Sequence, residues 1–427
     1  MRATISHLAD PLKATADEIS IPSHEAAVHR LAAAFHYRDF RVLWLGACTS
    51  SIGTWMQSVA ENWLVLSLTG SAFFLGLDAF LAQLPIMLFT LIGGVVADRR
   101  DRRRMLLGSQ YVQMTTAFTL AALVYFGVVQ IWQILALSFI TGFAQAFGGP
   151  AYQSLVPSLV DKQHLPNAIA LNSIQFNLAR VIGPLLAGVA LAVFGMVSCF
   201  TLNGLSFLAV IVALLSLRVR HVPVVTTERV MTQLRGGLSF VRHQQALLAL
   251  TVLAFATTFL GTPLLTLLPV FTQDVFHQGV GQYSRMMAFS GAGAVVGALV
   301  VAWLGRFHRM GMAALVVQGL FGLLIIAFSL SRSLWLSDLI LFGSGAAMMT
   351  AFSTVTSLVQ LIAPNQMRGR VMSIFMVAFR GGMPLGSLTA GYFANRWSAP
   401  ATLAIDGALL TVVAVYFLLR HRVVREL

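Results

Sequence analysis

Twelve stretches of this chain are apolar over lengths that let a helix cross about 30 Å of hydrocarbon, and they constrain it more than any other feature. They lie at 40–67, 72–97, 103–127, 131–157, 166–194, 197–218, 246–271, 283–304, 311–330, 334–362, 370–395 and 400–420. Inside lipid a backbone has no water to bond, so each run must satisfy its own peptide groups as a helix. Composition leaves no soluble alternative. The 427 residues are 57% hydrophobic and 10% charged, against roughly 45–50% and about 25% for a soluble domain. The expected class is therefore an all-α membrane protein with twelve transmembrane helices.

Connections between the runs are short, except at 219–245, which follows the sixth. The chain thus divides into a tail (1–39), a six-span unit (40–218), a linker (219–245), a second six-span unit (246–420) and a short tail (421–427). The opening stretch, "MRATISHLADPLKATADEISIPSHEAAVHR", is polar, lacks the apolar core of a signal peptide and reads as a loosely ordered tail. Of the 28 Lys and Arg, 23 fall in the tails and even-to-odd loops. Three sit in the opposite loops (Arg285, Arg332, Arg396), and two, Arg180 and Arg380, lie within spans. The positive-inside rule puts both termini and the linker in the cytoplasm. The net charge of +13 is then a topology signal and an attraction to anionic lipid, with no nucleic-acid partner implied. Cys48 and Cys199 lie inside apolar runs, and the ten histidines lie in tails, loops or span ends, so no disulfide, metal site or cofactor is expected.

The two six-span units echo each other. "GFAQAFGGPAYQSLV" (142–156) aligns with "GAAMMTAFSTVTSLV" (345–359), and "SIQFNLARVIGP" (173–184) with "SIFMVAFRGGMP" (373–384). Parallel repeats of this kind build one class of secondary transporter, with the solute held between them near the midplane.

The loop "GVVADRRDRR" (94–103) resembles the loop 2–3 signature of the major facilitator superfamily, Gly-x-x-x-Asp-Arg-x-Gly-Arg-Arg. Gly94, Asp98, Arg99, Arg102 and Arg103 match, and Asp101 stands where the family usually has Gly. With "RDFRVLWLGACTSSIGTWMQSVAENWLVLSLTGS" (38–71) and "ARVIGPLLAG" (179–188), the chain resembles the bacterial drug:proton antiporter branch that includes macrolide and enterobactin exporters. The resemblance implies two pseudo-symmetric six-helix bundles in the bacterial inner membrane. It also implies that Asp98 faces the start of the eleventh span, near Gly369 and Arg370, latching the halves in the outward-facing state. Topology anchoring alone is the other reading of this loop. The matching loop of the second half, "LGRFHRMG" (304–311), keeps Arg306 and Arg309 without the acid. Gly183, Pro184 and Gly188 resemble the fifth-helix antiporter motif, although close helix packing explains them equally well. "GAGAVVG" (291–297) reads as packing too.

Charges inside spans carry the mechanistic expectation, because a bilayer tolerates an ionisable group only when it is paired or neutralised. Glu61 and Asp78 lie about eight residues either side of the turn at Thr69–Gly70, so at ~1.5 Å per residue both sit roughly 12 Å deep. Glu61 also ends a polar stripe, Ser50, Thr54, Gln57, Glu61, with helical spacing. Such a pair suits proton carriage; a hydrogen bond within the bundle is the plainer alternative. Arg180 shares a face with Ser173 and Asn177, and Arg380 with Ser373 and Val377. Each arginine could be a counter-ion, a site for an anionic solute, or a strut to carbonyls freed by the following proline. Asp338 and Asp406, near the outer ends of their spans, read as water-accessible.

No Gly-x-x-x-x-Gly-Lys-[Ser/Thr] loop is present, so an ion gradient is the expected energy source. The 30 Phe and 17 Met suit an apolar or amphipathic solute better than a sugar. A membrane enzyme would need clustered His, Asp, Glu or Cys near one interface, and none is visible. The expectation is a proton-coupled antiporter exporting a hydrophobic, drug-like or siderophore-like small molecule, monomeric, with protons and membrane lipid as its other partners. An importer or uncoupled facilitator on the same fold, or a non-transporting scaffold, is the alternative.

Overall fold

The structure is a computed structural model that describes residues 33–218 and 230–427, apart from the side chains of Asp98 and of residues 230–235. Every regular element among the described residues is helical. A short turn, Ala33–His36, leads into α1 (Arg38–Thr69), α2 (Ala72–Arg99), α3 (Arg102–Tyr125), α4 (Ile131–Leu155), α5 (Leu165–Phe194) and α6 (Met196–Ser216). After α7 (Val230–His243) come α8 (Gln245–Gly261), α9 (Val280–Leu304), α10 (Met310–Leu330), α11 (Leu334–Ile362), α12 (Arg368–Arg396) and α13 (Ala399–Arg420). Ten of these helices are both long and apolar enough to cross a membrane. The long helices α1 and α3 fall short on hydropathy, because α1 carries the polar stripe and α3 carries Ser109, Gln110, Gln113, Thr115 and Thr116 along its length.

Three segments depart from the sequence expectation. The linker read at 219–245 contains α7, whose Gly237 lies against α12: a Cβ there would come within 3.0 Å of the Arg370 carbonyl oxygen. The rest of the linker, 219–229, and tail residues 1–32 lie outside the described residues. The final tail residues are built in as well, since the Ala34 N–H donates to Asn167 Oδ1 at 2.9 Å and the Tyr37 hydroxyl to Asp161 Oδ2 at 2.7 Å. The seventh span is not one continuous helix. Beyond Gly261 it proceeds through Pro263–Thr266, Leu268–Val270 and a wide turn at Phe271–Val275. Pro263 and Pro269 lack the N–H that a continuous helix needs.

α1 packs on α5 and α6, α2 on α4, and α3 on α4 and α6. The same pairings recur among the later helices: α8 on α12 and α13, α9 on α11, and α10 on α11 and α13. The two sets meet where α2 crosses α12 and α5 crosses α9. Small residues make these crossings close. A Cβ on Gly76 would sit 3.0 Å from the Cα of Gly391, and one on Gly188 would sit 3.0 Å from Ser284 Cβ. The α1–α2 turn at Gly70 adopts φ 59, a left-handed conformation that glycine takes without strain. Two hydrogen bonds join the sets near this end, Asn62 Nδ2 to the Tyr283 hydroxyl at 3.0 Å and Ser71 Oγ to Asn395 Oδ1 at 2.9 Å.

Candidate functional site

The geometry builds from a close approach of α1 and α6. Gly53 faces α6, where a Cβ would fall 2.6 Å from Asn203 Oδ1. With only a hydrogen in that place, Asn203 Nδ2 reaches Gln57 Oε1 at 2.7 Å, and Gln57 Nε2 in turn donates to Glu61 Oε2 at 3.1 Å. Ser206 Oγ donates back to Asn203 Oδ1 at 3.1 Å, fixing the amide. The other carboxylate oxygen of Glu61 is 2.7 Å from Ser138 Oγ on α4. The same Ser138 oxygen is 2.7 Å from Asp78 Oδ1 on α2, and Asp78 is only 5% exposed.

Two carboxyl groups therefore converge on one hydroxyl. A serine hydroxyl has one hydrogen to give and two lone pairs to accept with. It can donate to one carboxylate; the second contact is a hydrogen bond only when the other carboxyl carries a proton and donates to the serine oxygen. The two carboxyl oxygens are at most about 5.4 Å apart. Two full negative charges at that distance cost about 3 kcal/mol even at an effective dielectric constant of about 20. No Lys, Arg or His is among the described ion-pair partners of either acid. Neutralising either acid would remove that repulsion.

The equivalent helix pair of the second half solves its charge differently. Arg285 on α9 pairs with Asp338 on α11 at 2.5 Å, Gln282 Nε2 adds a bond at 3.3 Å, and Arg285 lies over the Trp335 ring at 5.0 Å. Arg285 belongs to a helix, where the sequence suggested a loop, and Asp338 is 0% exposed, where it suggested water access. Helix packing, invisible in the sequence, buries that end. Asp406 is also withdrawn, with its Oδ2 buried and without a hydrogen-bond partner among the described residues.

Other candidates stand apart from the carboxyl pair. Thr54 donates to the Ser50 carbonyl within its own helix, and Asn177 to the Ser173 carbonyl. The Arg180 guanidinium sits 5.7 Å over the Trp55 ring. Neither Arg180 nor Arg380 has a carbonyl strut or an ion pair among the described contacts. Gly183 lets α5 close on α1, where a Cβ would meet Trp55 Cβ at 2.5 Å, and Pro184 is buried beside it. Gly188 belongs to the α5–α9 crossing described above.

In the loop between α2 and α3, Asp101 caps α3: its Oδ1 accepts from the Arg103 N–H at 2.9 Å and the Arg104 N–H at 3.2 Å. Such a cap accounts for an acid where glycine was expected. Arg102 Nη1 donates to the Ser154 carbonyl at 3.0 Å, and Arg103 Nε to the Leu214 carbonyl at 2.6 Å, tying the loop to the ends of α4 and α6. Arg99 is exposed. Gly94 has open space around it; the close approach is made by Gly93, whose Cβ would press on the Ala146 carbonyl oxygen. The side chain of Asp98, on which the latch rests, lies outside the described residues.

Sequence reasoning missed Ser138, Asn203 and Tyr283. None is charged, and each matters only through the helix it faces. Tyr283 is fully buried, accepts from Asn62 and stacks on Trp63 at 6.2 Å, one and two residues beyond Glu61.

The profile of the transmembrane secretion effector family, a division of the major facilitator superfamily, matches residues 31–426. The chain is a major facilitator transporter. It is 29% identical over 392 residues to the multidrug efflux pump Tap of Mycolicibacterium fortuitum, covering 87% of this chain and 93% of the pump. It is 22% identical over 388 residues to macrolide efflux protein A of Streptococcus pyogenes, covering 88% and 94%. In fold it is similar to a bacterial homolog of the human lysosomal transporter Spinster in an inward-facing, occupied conformation, with TM-score 0.73, 13% identity and coverage of 90% and 96%. The transporter is thus a multi-pass membrane protein with efflux-type relatives, not an enzyme.

Proposed function

We propose that this transporter is a proton-driven exporter of a hydrophobic or amphipathic small molecule from the bacterial cytoplasm. In this reading all twelve long helices span the inner membrane as two six-helix bundles, α1–α6 and α8–α13, with both termini cytoplasmic. The observation that carries it is the Ser138 hydroxyl shared by Glu61 and Asp78. A pair built to hold one proton in an apolar bundle is a proton carrier, and its neighbours connect it to the seam between bundles. Asn62, next to Glu61, holds Tyr283 of the other bundle. Loss of the proton leaves two anions facing one donor, pushes α1 and α2 apart and loosens that seam. Protonation closes it again.

With the Gly70 end periplasmic, the seam described above is the outer gate, and the solute enters between the bundles from the cytoplasm. Aromatic pairs suit a flat apolar solute: Trp55 and Phe176 at 6.1 Å on α1 and α5, and Phe352 and Phe379 at 4.1 Å on α11 and α12. Efflux-type relatives and the family's description as secretion effectors support the outward direction. Asp98 opposite the start of α12 serves as the latch of the outward-facing state.

The decisive test replaces Glu61 by Gln. Glu61→Gln is expected to bind solute and exchange it across the membrane, but not to accumulate it in inverted vesicles driven by a proton gradient. Asp78→Asn is expected to give a milder defect. Full gradient-driven accumulation by Glu61→Gln refutes the assignment. Accumulation in right-side-out vesicles would favour the importer, and equilibration in inverted vesicles with no accumulation under a proton gradient would favour the facilitator.

A further inference from the structure

Arginines in the two halves' matching loops have different fates. In the first half Arg102 and Arg103 are bonded to helix-end carbonyls and Arg104 faces Asp101 at 3.6 Å. In the second half the side chains of Arg306 and Arg309 make no ion pair or hydrogen bond among the described residues, and the same is true of Arg368 at the start of α12. Where the first half has its closed set of carbonyl bonds, the second has a cavity of about 460 Å³ between the ends of α9, α10, α11 and α12. Arg306 and Arg368 line it together with Ser357 and Gln360, while Leu361 and Met310 supply apolar wall; among the described residues no carboxylate lines it. Beside it α9 presents outward-facing Leu299 and Trp303, the latter 85% exposed. A tryptophan so placed at a helix end is a residue of the membrane interface.

We infer that this cavity binds the phosphodiester headgroup of an anionic phospholipid, held between Arg306 and Arg368, with its acyl chains lying along α9. The charge fits, since two cations and two neutral hydrogen-bonding side chains face the cavity and, among the described residues, no acid pairs with them. Basic pockets between transmembrane helices at this level take anionic headgroups, and each arginine near the surface contributes about fivefold to the affinity. The apolar flank at Leu299 and Trp303 selects a lipid over a free anion. The lipid phosphate accepts from the second half's arginines as backbone carbonyls do from those of the first, and adds the opposite charge that carbonyls lack.

Native mass spectrometry of the purified transporter with added phosphatidylglycerol or phosphatidylcholine tests this. Wild type is expected to retain phosphatidylglycerol preferentially, and Arg306→Gln with Arg368→Gln to lose it by roughly tenfold or more. The control pair Arg420→Gln with Arg422→Gln, at the end of α13, is expected to bind as wild type. Arg306→Lys with Arg368→Lys keeps the point charges and is expected to bind within about threefold, which covers poor recovery of the glutamine pair. Equal phosphatidylglycerol binding by wild type and the glutamine pair overturns the site, as does equal binding of the two lipids. Displacement of phosphatidylglycerol by millimolar inorganic phosphate overturns the lipid source, leaving a soluble phosphate as the occupant.

Discussion

Removing one oxygen atom tests the proton carrier most sharply. Ser138→Ala deletes the hydroxyl that lies 2.7 Å from Glu61 and 2.7 Å from Asp78 and leaves every charge in place. Hydrogen bonds to charged groups contribute about 1.5–3 kcal/mol each. In the singly protonated pair one such bond runs from Ser138 to the carboxylate, and the protonated acid donates the other. Losing even the first destabilises that state by about 1.5–3 kcal/mol, roughly a tenfold to hundredfold fall in its population. Glu61 keeps its bond from Gln57, so the helix contacts of α1 survive and folding is expected to be normal. Proton-gradient-driven transport in inverted vesicles should therefore fall by about tenfold to a hundredfold, whereas gradient-free exchange should stay within about threefold. Ser138→Thr retains the hydroxyl and should recover most of the coupled rate. Coupled transport by Ser138→Ala within about twofold of wild type would mean that the shared hydroxyl does not hold the proton.

Three further expectations follow from other parts of the molecule. Gly53→Ala places a methyl 2.6 Å from Asn203 Oδ1; overpacking of this kind costs about 1–3 kcal/mol, so thermal unfolding in detergent should occur several degrees lower, and an unchanged midpoint would show that the α1–α6 seam has slack. Asp98→Asn should insert and fold but shift the population toward the inward-facing form. Spin-label distances between the loop ends of α2 and α12 check this, and wild-type distances with wild-type transport would leave Asp98 as a topology residue. For orientation, Arg235→Cys in a background of Cys48→Ser and Cys199→Ala should react only with membrane-permeant thiol reagents, and labelling of intact cells by an impermeant reagent would reverse the topology.

Much of the site was legible in the sequence because charge in a lipid-facing context is conspicuous. Glu61 and Asp78 stand out in apolar runs, and their equal distances from Gly70 place them at one depth across a hairpin. Gln57 follows from the helical spacing of the stripe. The α2–α3 loop could be read because its charge has no other reason to be there. By contrast, Ser138 is one hydroxyl among many in α4, and Thr54 and Asn177 were equally plausible members of a cavity wall; side-chain bonds to their own helix backbones take those two out of the network.

The sequence by itself determined the class of solvent, the helical nature of the spans, the internal repeat and the depth of the acidic pair. Those follow from local properties: hydropathy, spacing and chain length between charges. Only the tertiary structure decided which helices face each other. That choice put α4 between α1 and α2, so a neutral serine became the bridge of two acids. It set Arg285 against Asp338 across α9 and α11, joining an apparent loop residue to an apparently wetted acid that is in fact buried. It also left Arg306 and Arg368 around an open cavity while the arginines of the first half's α2–α3 loop were bonded. Pairing of helices depends on the shapes of whole faces, on where glycines such as Gly53, Gly183 and Gly188 allow close approach. A linear pattern records the glycine but not the partner that fills the space beside it.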